Sequence, residues 1–474
     1  PCINNHTSYN YYKFRIKMNR ENKPLFLYTF ITVFGGLIVG LNMAGISGAV
    51  PFLQEQFMLD DMALGLVVSI LTVGCLCGAL LGGGFSDRYG RQKVMFSSAV
   101  FFIVSSLGCA LSGNLVSLLV FRLICGLGIG VISAVAPIYI SEISPARLRG
   151  TLVSYNQLAI VIGILIAYIV DYILLDYERN WRLMLGFPFF FSVAYLLLLG
   201  ILPESPRWLS ARGKAGRARQ VASKLNLEAG EMTVSDTNTQ EGRDRIKVTE
   251  LFKGNLAKVV FIGSILAALQ QITGINVIIN YAPSIFEMTG VAGDIALVQS
   301  ILVGVVNLLF TLIAVWLVDK VGRKILLLCG SLGMGISLLY LVYTFVVPAA
   351  NGIGALIAVL CYIGFFAASL APLMWVVTSE IYPSRIRGTA MSLSTGISWL
   401  CTFLTVQFFP WILNNLGGSV AFGIFAIFSI AAFAFILFCV PETKGKSLEA
   451  IEKELGVDKE AEENVKEEHA FSKI

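Results

Sequence analysis

A chain of 474 residues that is 56% hydrophobic and only 14% charged, with a mean hydropathy of +0.77, has too little polar surface to cover a soluble globule of that size. It reads as an all-α polytopic membrane protein. The net charge of +5 does not mark a nucleic-acid partner, because the basic residues collect beside apolar segments, as membrane topology requires.

In chain order, residues 1–17 are polar, rich in Tyr and Asn and unlike a signal peptide; we expect Met18 to be the natural start and residues 1–17 not to be native. Apolar windows of about 20 residues then mark twelve segments, at 26–50, 62–85, 93–112, 115–140, 150–172, 183–202, 256–285, 296–318, 325–347, 352–378, 389–413 and 419–440. The expected organisation is a tail at 1–24, a six-helix half at 25–202, a polar loop at 203–255, a second six-helix half at 256–440 and a tail at 441–474. In the loop, 207–225 suits a short basic amphipathic helix at the membrane surface, and 228–245 has the composition of a flexible segment. With both termini in the cytosol, all 35 Lys and Arg except Arg122, Arg179 and Arg182 lie on the cytosolic side, which sets the expected orientation.

Of the nine cysteines, all but Cys2 lie in apolar segments, where they pass as small hydrophobes. Cys75 and Cys77 lack metal-ligand spacing, so neither a disulfide framework nor a metal site is expected. The only histidines, His6 and His469, are in the tails, and there is no phosphate-binding loop. We expect no enzyme activity and no cofactor.

The two halves repeat. Asp87-Arg88-Tyr89-Gly90-Arg91 after segment 2 matches Asp319-Lys320-Val321-Gly322-Arg323 after segment 8, and Ser141-Glu142-Ile143 through Arg149-Gly150 matches Ser379-Glu380-Ile381 through Arg387-Gly388. Pro203-Glu204-Ser205 matches Pro441-Glu442-Thr443, at nearly the same displacement. Such a parallel repeat implies a pseudo-two-fold axis along the membrane normal and a solute path between the halves.

One apolar segment carries Gln270, Gln271, Thr273, Asn276 and Asn280 within twelve positions. At 100° per residue these do not share one stripe, so an unbroken helix would point some at lipid; Thr273-Gly274 offers a break that would let them line a midplane cavity. The structural alternative is ordinary interhelical hydrogen bonding.

Together with Pro203-Glu204-Ser205-Pro206-Arg207-Trp208-Leu209, these motifs resemble, in content and order across residues 25–450, the sugar porter family of the major facilitator superfamily. That resemblance implies alternating-access transport of a monosaccharide. By resemblance Gln157, Gln270, Gln271, Asn276, Asn307 and Trp375 contact the sugar, with Phe366 and Trp399 as walls; carboxamides both donate to and accept from hydroxyls without an ion's desolvation cost. It also implies a cytosolic latch between the halves made of Asp87, Arg91, Glu142, Arg149, Glu204, Asp319, Arg323, Glu380, Arg387 and Glu442. Pairs that form in one state alone bias a two-state equilibrium. Asn280 stands where the family usually has the first of two tyrosines, leaving Tyr281 as the outer-gate aromatic, and Ser398 stands where Asn or Gln is common.

Coupling is expected to turn on Arg122, a charge inside a span, and on Asn42. Proton-coupled members carry an Asp at the position of Asn42, and an amide does not titrate near neutral pH. The sequence therefore leans to facilitative uniport. Proton–sugar symport remains open, for instance through Asp171, as do a polyol carrier and a non-transporting sugar sensor, although sensors usually carry a longer tail than the one after Pro441. The expected partners are a monosaccharide, the lipid bilayer and, for a symporter, protons. The expected setting is a bacterial inner membrane, because the single Asn-x-Ser/Thr site, at Asn5, lies in a cytosolic tail; a monomer is the expected unit.

Overall fold

Apolar segments surrounded by hydrocarbon must satisfy their own backbone groups, and here they do so as helices. The computed structural model describes residues 23–145, 148–225, 227, 251, 254–347, 352–383, 386–444, 446 and 453–454, the Asp319 side chain excepted. The first half comprises α1 (Lys23–Ala44), α2 (Val50–Phe57), α3 (Asp61–Tyr89), α4 (Arg91–Leu111), α5 (Leu115–Ile143), α6 (Arg149–Ile173), α7 (Asn180–Gly186) and α8 (Pro188–Leu199). Two short helices follow, α9 (Pro206–Ala211) and α10 (Ala215–Lys224). The second half comprises α11 (Gly254–Ile272), α12 (Ile275–Glu287), α13 (Gly293–Val321), α14 (Arg323–Val346), α15 (Gly352–Ala368), α16 (Leu370–Ile381), α17 (Arg387–Leu416) and α18 (Gly418–Cys439).

Among the described residues, twelve spans are long and apolar enough to cross a membrane; α7 with α8, α11 with α12 and α15 with α16 each make one of them. The face where α3 meets α4 and α5 meets α6 carries the Lys- and Arg-rich loops and is called the basic face below. At the opposite face helices begin with side-chain caps: Asp60 accepts from the Ala63 N–H at 2.7 Å and Asn114 from the Ser117 N–H at 2.8 Å.

Some boundaries differ from the apolar runs. Span 1 stops at Ala44 rather than near residue 50, because Gly45 and Gly48 turn the chain and Pro51 starts α2 in its first turn. Span 6 is divided at Phe187, which keeps helical dihedrals (φ −53°, ψ −40°), and Pro188 opens α8. The expected single helix at 207–225 is two, separated by Gly213 at φ +73°. Residues 1–17 and 228–245 lie outside the described residues.

The sequence repeat is also a packing repeat. In the first half α3 packs on α5, α1 on α6 and α4 on both α5 and α8; in the second, α13 packs on α15, α11 on α17 and α14 on both α15 and α18. The halves meet through α3 against α17 and α6 against α13, two pairs that exchange under the pseudo-two-fold. One apolar core, around Phe102, Tyr139 and Tyr195, belongs to the first half, and a larger one runs across this junction.

Candidate functional site

The span containing the carboxamides breaks where expected. α11 ends at Ile272, Gly274 takes φ +95°, and α12 restarts at Ile275. A Cβ on Gly274 would lie 2.6 Å from the Phe425 ring, so neither the backbone angle nor the space admits a side chain. The Thr273 carbonyl, left in the break, accepts from the Tyr362 hydroxyl at 3.0 Å. The change of direction joins amides that a straight helix would scatter. Asn280 Nδ2 donates to the Asn276 carbonyl at 2.6 Å, Asn276 Nδ2 to Gln271 Oε1 at 2.6 Å, and Gln271 Nε2 to Gln270 Oε1 at 3.0 Å. Gln270 Nε2 ends the chain on the carbonyls of Leu370 and Ala371, at 2.8 and 3.4 Å.

Those two carbonyls follow a second break, at Ser369 (φ −134°, ψ −87°), three residues before the expected Pro372. Gln270 thus pins the two broken spans together, and half-buried Trp375 follows on α16. Phe366 is buried at the end of α15. Trp399, on α17 of the second half, leans on the first half's core. Asn307 is buried on α13, one turn beyond Gly304, where that helix touches α6 at Leu165 and Tyr168. Gln157 is half-buried on α6 and, like Asn307, makes no hydrogen bond to the amide chain among the described residues.

Asn42 donates to the Ile38 carbonyl one turn back at 2.9 Å. Arg122 is buried on α5, where Nη2 donates to the Val68 carbonyl at 3.2 Å and Nε has no partner. No hydrogen bond joins these two residues among the described ones. Asp171, at the far end of α6, is buried and accepts from the Gly48 N–H at 3.0 Å and the Ser47 hydroxyl at 3.3 Å, so it holds the turn between α1 and α2.

The repeated charges form one cluster in each half. Arg91 makes a two-pronged pair with Glu142, both contacts at 2.9 Å, and touches Asp87 at 3.1 Å. Glu204 caps the start of α4, accepting from the N–H groups of Arg91 at 2.9 Å and Gln92 at 3.3 Å. In the second half Arg323 pairs with Glu380 at 3.3 Å, and Glu442 accepts from the N–H groups of Arg323 and Lys324, both at 3.1 Å. Gly90 and Gly322, at φ +104° and +110°, make the turn beneath each carboxylate; a Cβ would collide with Glu204 at the first and crowd Glu442 at 3.0 Å at the second. Burial pushes the Glu204 carboxyl above its ordinary range, outweighing the N–H donors and Arg91. At the more exposed Glu442 burial is outweighed by the N–H groups of Lys444, Arg323, Lys324 and Thr443, and the carboxyl is held low.

The expected latch, whose pairs form in one state alone, is not engaged in this conformation. Among the described residues no ion pair joins the halves at the basic face: Arg387 Nε donates to the Tyr382 carbonyl of its own half at 3.2 Å, and Arg149 Nε is buried without a partner. The reason is local, since each carboxylate is taken up by the helix start and the arginine beside it. The Asp319 side chain lies outside the described residues.

The opposite face is where the halves are joined. Ser69 donates to Gln407 Oε1 at 2.7 Å, Gln407 Nε2 to the Met62 carbonyl at 2.9 Å, and Asn414 Nδ2 to Asp61 at 2.6 Å. The Tyr168 hydroxyl donates to the Ile279 carbonyl at 2.8 Å. Tyr281, the expected outer-gate aromatic, packs in this conformation on Phe409 of the second half, with its hydroxyl donating to the Val406 carbonyl at 3.3 Å. Sequence reasoning missed Ser69, Tyr168 and Gln407; the available signal was Gln407, a carboxamide in an apolar run three residues before Pro410. A 460 Å³ cleft between α1 and α6 is lined by Phe26, Phe30, Phe34 and other apolar residues and holds none of the site residues.

Known proteins match this geometry over nearly its whole length. The arabinose-proton symporter of Bacillus subtilis (strain 168) is 37% identical over 428 residues, covering 88% of this chain and 92% of that protein. The D-xylose-proton symporter of Escherichia coli (strain K12) is 36% identical over 471 residues, 90% of this chain and 95% of that one. A partially occluded inward-open structure of the xylose transporter XylE from E. coli superposes with a TM-score of 0.77 at 34% identity, over 89% of this chain and 99% of that chain. The fold is therefore that of the major facilitator superfamily, in a multi-pass integral membrane protein, and relatives and fold alike are transporters rather than enzymes. The model of the family described as "Sugar (and other) transporter" matches residues 28–455, and the chain belongs to that family.

Proposed function

We propose that this protein carries a monosaccharide, a hexose or a pentose, across the membrane by alternating access. The observation that carries this reading is the amide chain from Asn280 to Gln270, set at two helix breaks in one half. Its carboxamides suit a neutral polyol, and the relatives named for arabinose and xylose point to the same solute class. Gln157 and Asn307 complete the pocket, with Trp375, Phe366 and Trp399 as its apolar walls. The basic face is cytosolic, the membrane is a bacterial inner membrane, and the unit is a monomer.

Transport is facilitative as the chain stands, because Asn42 cannot exchange a proton with solution. The second reading, proton–sugar symport, is favoured by relatives whose names include a proton. Proteoliposomes decide both points. Uptake of one or more members of a hexose, pentose and polyol panel is expected, with no external alkalinisation. A preference for polyols would change the solute, and sugar-driven alkalinisation or uphill uptake on a pH gradient would replace uniport with symport.

A further inference from the structure

Pro283 lies inside α12 and brings no N–H to it, so the carbonyl four residues earlier, at Ile279, loses its intrahelical donor. A buried carbonyl without a donor is unfavourable, and this one is satisfied from the other half, by the Tyr168 hydroxyl at 2.8 Å. Tyr168 is fully buried on α6, against Gly304 of α13. The protein uses the same device a second time: Pro410 frees the Val406 carbonyl of α17, which accepts from Tyr281 at 3.3 Å. That second bond stays within one half and is indifferent to which face is closed. The first crosses the halves.

We propose that Tyr168 is a positioning residue that ties closure of the face opposite the basic loops to the conformation of α12. Ile279 lies between Asn276 and Asn280, so the carbonyl that Tyr168 holds belongs to the segment carrying the amide chain. When that face opens, Tyr168 leaves with the first half and the Ile279 carbonyl turns to water. The bond therefore exists in one state only and counts in full toward the difference between the two. One turn along α6, Asp171 fixes the turn between α1 and α2 through Gly48, so the end of α6 is held from its own half while Tyr168 reaches across. The proposal rests on the alternating-access reading above.

Hydrogen exchange of the full chain in lipid nanodiscs, read by mass spectrometry without solute, tests it. Tyr168→Phe keeps the ring and removes the donor. Amides at the opposite-face ends of α3, α12 and α17 should exchange about tenfold faster, while amides around the turn between α3 and α4 at the basic face exchange more slowly. A population shift moves the two faces in opposite directions, whereas loosened packing raises both. Faster exchange at both faces, no change, or the same opposed pattern in Tyr281→Phe would overturn the proposal. Since this readout needs no solute, it can fail or succeed independently of sugar uptake, which is measured on the parent in the same lipid.

Discussion

Asn42 keeps its side chain on its own helix, where Nδ2 reaches the Ile38 carbonyl. A carboxylate there has no proton to donate to that carbonyl, so Asn42→Asp frees the side chain and places a titratable group in a span beside the α5 helix that carries Arg122. The expected outcome is a gain of coupling. In proteoliposomes Asn42→Asp should accumulate sugar on an inward proton gradient, up to about tenfold per pH unit at one proton per sugar, while the parent only equilibrates. Equal accumulation by both would show that the parent couples through another group. At this scale chemistry outruns contact: Arg122 stands out by residue type and depth in an apolar run, whereas Gln157 is singled out by the family resemblance. That Tyr281 would turn into its own half toward Val406 could not, because its partner carbonyl is freed by Pro410, far along the chain.

Helix starts at the basic face show how a repeated motif becomes a repeated element. Glu204 and Glu442 each receive the first N–H groups of the helix behind a positive-φ glycine, so each acts as a distant N-cap. Their environments nevertheless differ, and so should their response to pH. Glu442 is held below its ordinary value of 4.5, so its contribution to stability is full above that pH and is lost as pH falls below it. Glu204 is held above 4.5, so its folded form takes up a proton more readily than the unfolded chain and its stabilising share declines as pH rises past 4.5. Glu442→Gln is therefore expected to lower stability at pH 7, by only a few tenths of a kcal/mol because solvent screens this largely exposed carboxylate, a loss that shrinks on acidification, whereas Glu204→Gln costs less at pH 7. Unfolding midpoints in detergent at pH 7 and pH 4 would check this, and equal losses for the two variants at pH 7 would refute it. The twelve spans, the halves and the break at Thr273-Gly274 were all legible in sequence, because apolar length and an αL-tolerant glycine act locally. The partners of the carboxylates were not, because Glu204 meets Arg91 and Glu442 meets Arg323 only after whole helices have packed between them.

At the level of the whole molecule, two pseudo-symmetric helix pairs, α3 with α17 and α6 with α13, hold the halves together, and the polar contacts between halves fall at the face opposite the basic loops. Ser69, Gln407, Asp61 and Asn414 join the halves there, while at the basic face Arg91 pairs with Glu142 and Arg323 with Glu380, each within its own half. Rocking the halves about this junction would trade the first set of bonds for contacts between the clusters, and Arg149 and Arg387, which have buried guanidinium nitrogens without partners, stand ready to make them. The solute path would then open to one side at a time. A chemical lock tests that directly. In a variant whose exposed Cys77, Cys329, Cys361 and Cys439 are serine, the pair Asp61→Cys and Asn414→Cys places thiols where an amide and a carboxylate now meet at 2.6 Å. Bridging them with a short, reducible bis-thiol linker should abolish sugar exchange, and reduction should restore it. Sugar binding measured in detergent should survive the bridge, because the pocket remains reachable from the basic face. Undiminished exchange by the bridged protein would mean that the solute passes without the halves separating at this face.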